Sequence, residues 1–231
     1  MLIGPQNLLL QLTEVRSRIN QAALTAARDP SSVTLVAVTK SKPAELIGMA
    51  ADLGVRDFGE NYLQEAVDKI DALAQRGLTW HFIGAIQSNK TREIADKFSW
   101  VHSVDRLKIA QRLSEQRSFH APPLNLCIQV ALVPEDTKGG VDPAALPDLA
   151  ARIAELPRIR LRGLMCIPPA ARDGTGNRTL FERLAQLRED LNATGLKLDT
   201  LSMGMSDDFE AAIGAGATMV RVGSAIFGTR Q

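Results

Sequence analysis

The sequence predicts an α/β protein: a (β/α)8 TIM barrel with an N-terminal helix. Three observations lead there. Eight short apolar segments alternate with segments of helical period, the pattern of βαβ units and a parallel sheet. Chemically capable polar residues recur just after those apolar segments, where a barrel keeps its active face. No G-x-G-x-x-G follows the first apolar segment, which removes the dinucleotide fingerprint of the alternative, an open doubly wound sheet. The 231 residues are slightly fewer than the ~250 typical of such a barrel and read as one domain over 1–231.

The opening segment sets Leu8, Leu12, Val15, Ile19, Ala22 and Ala26 at steps of three and four. That is one apolar face of an amphipathic helix, within 1–28, packed on the barrel. Asp29-Pro30-Ser31-Ser32 breaks it. The first strand is then predicted over 33–39 and its helix over 43–53. The following pairs fall at 55–58 and 62–75, at 79–84 and 89–97, and at 100–103 and 106–117. The fifth strand spans 124–132, with a glycine-bearing loop before the helix at 143–155. The last three strands fall at 160–167, 198–202 and 217–222, with helices at 175–192 and 207–215 between them.

Composition narrows the function. Lys plus Arg number 27 and Asp plus Glu 26, a net charge of +1. A nucleic-acid coat or a polybasic membrane binder would be far more basic. No apolar run has the length to span a bilayer. The first 20 residues carry neither the charged start nor the apolar middle of a signal peptide. Cys127 and Cys166 make neither a disulfide framework nor a zinc set, and each lies in an apolar run, so both read as buried free thiols. A reducing cytoplasm fits.

Lys40 ends the first strand, in Val36-Ala37-Val38-Thr39-Lys40. Alternation along a strand puts it on the face of Val38 and Val36. At the rim of an apolar barrel a lysine is expected to be partly desolvated, which favours the neutral amine that attacks an aldehyde. A lysine snorkelling to solvent at a strand end fits the spacing equally well. The last two strands favour chemistry. Barrels often hold phosphate in the loops after strands seven and eight. Here Gly204 and Ser206 follow strand seven, and Gly223 and Ser224 open the short 225–227 segment after strand eight. Glycines let backbone N–H groups approach an anion and serines add hydroxyl donors. Ser206 could instead simply cap the next helix, and Asp207 and Asp208 beside it are expected to point away from the cavity. Arg221, if inward, faces the same cavity as Lys40; the other reading, a surface ion pair, fits less well between its apolar neighbours. An aldehyde-reactive amine, a phosphate cradle and an arginine between them point to pyridoxal 5′-phosphate, with a sugar-phosphate barrel enzyme using Lys40 as its Schiff-base lysine left open.

With these residues in place the chain closely resembles the pyridoxal phosphate homeostasis proteins, also described as proline synthase co-transcribed proteins, over nearly its full length. The most specific stretch is Trp80-His81-Phe82-Ile83-Gly84-Ala85-Ile86-Gln87-Ser88-Asn89-Lys90. Also similar are Ala37-Val38-Thr39-Lys40, Phe58-Gly59-Glu60-Asn61-Tyr62, Arg162-Gly163-Leu164-Met165, the 202–209 stretch around Gly204 and Ser206, and the 220–228 stretch around Arg221 and Gly223. The resemblance implies the fold type III barrel of the alanine racemase N-terminal domain. It implies a Schiff base between Lys40 and the cofactor. It implies that Ser206, Gly223 and Ser224 hold the phosphate, that Arg221 faces the pyridine nitrogen, and that Asn61 lines the ring pocket. The face taken by mid-strand His81 stays open. One departure is Val130-Ala131-Leu132, where the family usually has an asparagine near the end of strand five; the acid, lysine and glycine spacing of 135–140 is kept.

Catalysis is not expected. Pyridoxal phosphate is the better electron sink when its ring nitrogen is protonated opposite an acid, and Arg221 cannot accept a proton. In the racemases this chain resembles, a second base is a tyrosine supplied by the partner subunit from a second β-rich domain. The chain ends at Gln231, and its single tyrosine, Tyr62, matches a homeostasis-protein motif. The reading is a cytoplasmic carrier, a monomer, that keeps pyridoxal phosphate as a Schiff base and delivers it to apo-enzymes. A pyridoxal-phosphate-dependent amino-acid racemase of weak or narrow activity is the rival. Lys138, on the loop after strand five, and Lys42 are further candidate lysines for handling the cofactor.

Overall fold

The computed structural model describes residues 4–133, 139–169 and 177–228. Helix α1 (Pro5–Thr25) opens with proline at its first position, where the missing N–H costs nothing. Its buried stripe is Leu8, Leu12, Val15, Ile19 and Ala23. Each buried leucine or isoleucine contributes about 1.5–3 kcal/mol by leaving water. Ala23 takes the place expected of Ala22 and Ala26 as the helix packs on the barrel's outer layer.

Eight parallel strands then close in sequence order: β1 (Thr34–Val38), β2 (Asp57–Glu60), β3 (Thr79–Phe82), β4 (Trp100–Val104), β5 (Leu124–Gln129), β6 (Ile159–Met165), β7 (Thr200–Ser202) and β8 (Met219–Val222). Closure is direct, with Val36 of β1 opposite Arg221 of β8. The intervening helices are α2 (Ala44–Asp52), α3 (Leu63–Ala72), α4 (Thr91–Lys97), α5 (Leu107–Gln116), α6 (Leu146–Ala154), α7 (Arg178–Ala193) and α8 (Phe209–Gly214). A one-turn α9 (Ser224–Phe227) follows β8.

Alternation along the strands sorts the core into two populations. Outward residues such as Phe58 and Val101 join Ile94, Phe181 and Phe209 of the helices in one continuous layer. Inward residues Val36, Trp100, Cys127, Met165 and Met219 fill the barrel's axis. Both cysteines are buried free thiols, and burial pushes each up to about 12. Strand two begins two residues later than its apolar run implied. The Val55 N–H bonds back to the Ala50 carbonyl at the end of α2, so pairing starts at Asp57 opposite Thr79 and carries Gly59 and Glu60 into the sheet. Strand five stops at Gln129; beyond it the Val130 N–H still bonds to the Met165 carbonyl of β6, and Val130 forms an isolated bridge with Val141. Among the described residues no helix is long and apolar enough to cross a membrane.

Candidate functional site

A cavity of about 330 Å³ opens at the C-terminal ends of the strands. It is lined by Lys40, Asn61, Ser206, Arg221, Gly223 and Ser224, together with the apolar Val38, Ile83, Ile167 and Met205. All six sequence-predicted site residues therefore meet in one place, contributed by β1, β2, β7, β8 and their following loops. A larger groove, about 550 Å³, lies beside α1, α7 and α8, but it holds the Arg18–Glu210 ion pair and no lysine.

Lys40 shares its face with Val36 and Val38, as alternation requires. Its side chain is exposed at the rim, which corrects the expectation of partial desolvation: the strand ends at Val38, and Lys40 lies beyond the packed sheet. The backbone beside it is firmly held. Thr39 turns the opposite way and is fully buried. Its hydroxyl donates to Glu60 Oε1 at 2.6 Å, and Lys69 Nζ on α3 reaches both Glu60 Oε1 at 2.8 Å and the Thr39 carbonyl at 2.9 Å. Glu60 therefore belongs to the sheet–helix layer and not to the cavity. Burial raises its pKa, while the hydrogen bonds and charge of Lys69 and Thr39 pull the other way. Immediately after Lys40, Ser41 takes a left-handed backbone conformation (φ 60°), costly for a non-glycine residue, and its N–H is held by Glu65 Oε2 at 2.9 Å. Lys42 Nζ is tied to the Phe227 carbonyl at 2.8 Å and is not among the cavity's lining residues, so Lys40 is the cavity's amine among the described residues. Lys138 lies outside the described residues.

Asn61 Oδ1 is buried in this lining, without a hydrogen-bond partner among the described residues. Its position depends on Gly84: a Cβ there would stand 2.0 Å from the Asn61 carbonyl oxygen. At the opposite wall the Ser206 hydroxyl accepts the Ala225 N–H at 3.3 Å. Helix α8 begins at Phe209 with Asp208 as its capping position, so Ser206 is not that helix's cap. Gly223 passes close to β1, where a Cβ would lie 3.2 Å from the Val38 carbonyl. Asp208 points away as expected, accepting the Met205 N–H at 2.7 Å and Asn177 Nδ2 at 2.8 Å. Asp207 is exposed and is among the residues that line the cavity.

Arg221 faces inward and is buried. Nη1 donates to Ser202 Oγ at 2.7 Å and Nη2 to the Cys166 carbonyl at 2.9 Å. Burial lowers its pKa from the ordinary arginine value, which still leaves a cation. Ala131, at the position of the departed asparagine, lines a separate small cavity with Gln129 and Gly139. Tyr62 is half-exposed and outside the lining set. The residues missed at sequence level are those that bond to Arg221 from below, Ser202 and beyond it His102. Alternation held one usable signal: His102 is two positions from Trp100, so the two rings share the interior face of β4.

The chain matches the model of the alanine racemase N-terminal domain over residues 10–231. It is 58% identical to the pyridoxal phosphate homeostasis protein of Pseudomonas aeruginosa over 220 residues, 95% of this chain and 94% of that protein. It is 50% identical to that of Escherichia coli K12 over 223 residues, 95% of each chain. Among solved structures, PipY of Synechococcus elongatus PCC7942 with pyridoxal phosphate bound superposes with a TM-score of 0.85 at 38% identity, covering 96% of this chain and 100% of that one. The alanine racemase of Clostridium difficile 630 shares the fold at a TM-score of 0.72 and 16% identity, over 97% of this chain and 57% of the racemase.

Proposed function

The chain belongs to the pyridoxal phosphate homeostasis proteins, within the family of the alanine racemase N-terminal domain, and on that premise we propose that it holds pyridoxal 5′-phosphate in the Lys40 cavity and releases it to apo-enzymes. The observation that carries this reading is the convergence of Lys40, Asn61, Ser206, Arg221, Gly223 and Ser224 on one cavity of about 330 Å³. That volume is in the range of small-molecule sites. The chemistry of the lining fits the group. Pyridoxal phosphate supplies an aldehyde that condenses with a primary amine as a Schiff base. Lys40 offers the amine. Asn61 Oδ1, buried and unpartnered among the described residues, offers a polar contact to the ring's substituents. Ser206 and Ser224 offer hydroxyls, and Gly223, which packs against Val38 without a Cβ, brings its backbone into the cavity wall beside them. Arg221 offers its guanidinium to the ring.

A carrier role rather than turnover is supported by two features of these residues. Arg221 only donates and cannot accept a proton, and so leaves a ring nitrogen opposite it unprotonated. Tyr62 is half-exposed and outside the lining set, so it is not placed as a racemase base. The exposure of Lys40 also suits a bond that must be reversed by water or an incoming amine. Two buried thiols suit a reducing cytoplasm. The chain acts as a monomer in this reading, because the six lining residues come from one barrel.

One experiment tests the proposal. The purified protein is incubated with pyridoxal phosphate, freed of excess by dialysis, and mixed with an apo-enzyme that requires the cofactor; a second portion is incubated with single L-amino acids. The reading predicts a yellow protein, recovery of enzyme activity, and no D-amino acid. Racemisation would replace the carrier with an enzyme, and a colourless protein would favour a sugar-phosphate ligand.

A further inference from the structure

A continuous line of polar side chains crosses the barrel beneath the Lys40 cavity. Arg221 Nη1 meets Ser202 Oγ at 2.7 Å. Ser202 Oγ meets His102 Nδ1 at 2.7 Å. His102 Nε2 meets His81 Nδ1 at 2.9 Å, and His81 Nε2 meets Asp57 Oδ1 at 2.9 Å. Ser202, His81 and His102 are fully buried and Arg221 nearly so. Asp57, at the start of β2, is partly exposed and lines a cavity on the opposite, N-terminal face of the barrel with Arg16 and Arg56.

With both imidazoles neutral, the two ends fix the direction of every hydrogen bond between them. Arginine can only donate and a carboxylate can only accept. His81 must therefore present Nε2–H to Asp57. A neutral His81 then has a bare Nδ1, which must accept from His102 Nε2–H. A neutral His102 has a bare Nδ1, which must accept from the Ser202 hydroxyl. That leaves the Ser202 lone pair for Arg221. Burial lowers both imidazoles from the usual histidine range; Asp57 partly opposes this at His81, and the charges of His81 and Arg221 add to it at His102. The neutral forms that the chain of donors requires are thus the favoured ones.

The bonds of Arg221 among the described residues go to a neutral hydroxyl and a carbonyl. A buried guanidinium without a carboxylate in contact is costly. The line of dipoles ends on Asp57, and successive hydrogen bonds in a buried chain polarise one another. We propose that Asp57, His81, His102 and Ser202 form a one-way relay that positions Arg221 from the far end of the barrel. The charge of Asp208 acts on the guanidinium through space; Asp57 is the carboxylate joined to it through hydrogen bonds, and sets how firmly the guanidinium is aimed into the cavity. This rests on the reading of that cavity as the pyridoxal phosphate site.

The test begins on protein free of cofactor. Long-range proton–nitrogen NMR of the imidazoles reports which nitrogen of each ring carries the proton. The relay requires His81 and His102 each to be a single Nε2–H tautomer, while exposed His120 averages between forms. Asp57→Ala removes the terminal acceptor at a partly exposed position. It should release both rings into mixed tautomers and weaken retention of pyridoxal phosphate about fivefold, the effect of one neutral hydrogen bond. Asp57→Glu should restore both. An Nδ1–H tautomer at either ring of the wild type overturns the relay and needs no variant to fold. Wild-type tautomers or wild-type retention in Asp57→Ala would equally overturn it. Should the wild type show the required tautomers yet bind no pyridoxal phosphate, the reading of the cavity fails and the relay stands.

Discussion

Replacing Lys69 with methionine isolates the buried pair that fixes the backbone beside Lys40. The Lys69 side chain is 9% exposed and that of Glu60 fully buried, at 2.8 Å. Glu60 Oε2 already lacks a partner among the described residues. Methionine keeps most of the volume, so the loss is electrostatic: a buried carboxylate left with one hydroxyl donor, Thr39. Breaking such a pair from one side costs about 3–5 kcal/mol. The cost must depend on pH. Burial raises the pKa of Glu60 above its ordinary value of 4.5, and Lys69 is the main force in the opposite direction. Without Lys69 the folded pKa rises further. Over the interval between the unfolded and the folded pKa, the folded state binds more protons, so stability falls as pH rises, by about 1.4 kcal/mol per unit. Urea unfolding at acid pH, with Glu60 protonated, should therefore show Lys69→Met losing only about 1 kcal/mol, the value of a neutral hydrogen bond. At slightly alkaline pH the loss should reach about 3–5 kcal/mol. Adding Glu60→Gln should flatten the difference. Equal losses at both pH values would refute the assignment of a charged, lysine-dependent Glu60.

Ser206→Ala and Ser224→Ala should each weaken retention of pyridoxal phosphate about tenfold or more in equilibrium dialysis, since a hydrogen bond to a charged group is worth roughly 1.5–3 kcal/mol. Unchanged affinity in both would move the phosphate elsewhere. Gly84→Ala would drive a Cβ to 2.0 Å from the Asn61 carbonyl oxygen. Because that neighbour is backbone, the loop must shift, costing about 1–3 kcal/mol in thermal unfolding and displacing Asn61. A variant that loses this stability yet keeps wild-type cofactor retention would show that Asn61 contributes nothing to the site.

The barrel was legible because its strands are short apolar runs and its helices keep a 3.6-residue period; both signals are local. Strand ends were less so. The shift of β2 to Asp57–Glu60 follows from one hydrogen bond, Val55 N–H to the Ala50 carbonyl, that no periodicity encodes. The rim residues of the site could be found since each follows a strand, and the alternation that placed Lys40 with Val38 and Val36 held. Exposure could not be read from that alternation: Lys40 is on the expected face yet stands clear of the packed sheet. Nor could the hold on Asp208 be read, as it depends on Asn177, 31 residues from Asp208 in the chain. The relay beneath Arg221 joins β2, β3, β4, β7 and β8, so its members are neighbours only once the barrel closes.

The central claim is that Lys40 is the amine that holds pyridoxal phosphate. Reducing the loaded protein with borohydride makes the linkage permanent, and mass spectrometry of a digest locates it. The account predicts the added mass on the peptide containing Lys40, and its loss, with the yellow colour, in a folded Lys40→Ala variant. Added mass on Lys42, Lys138 or another lysine of the wild type, or a variant that stays yellow after dialysis, would contradict it.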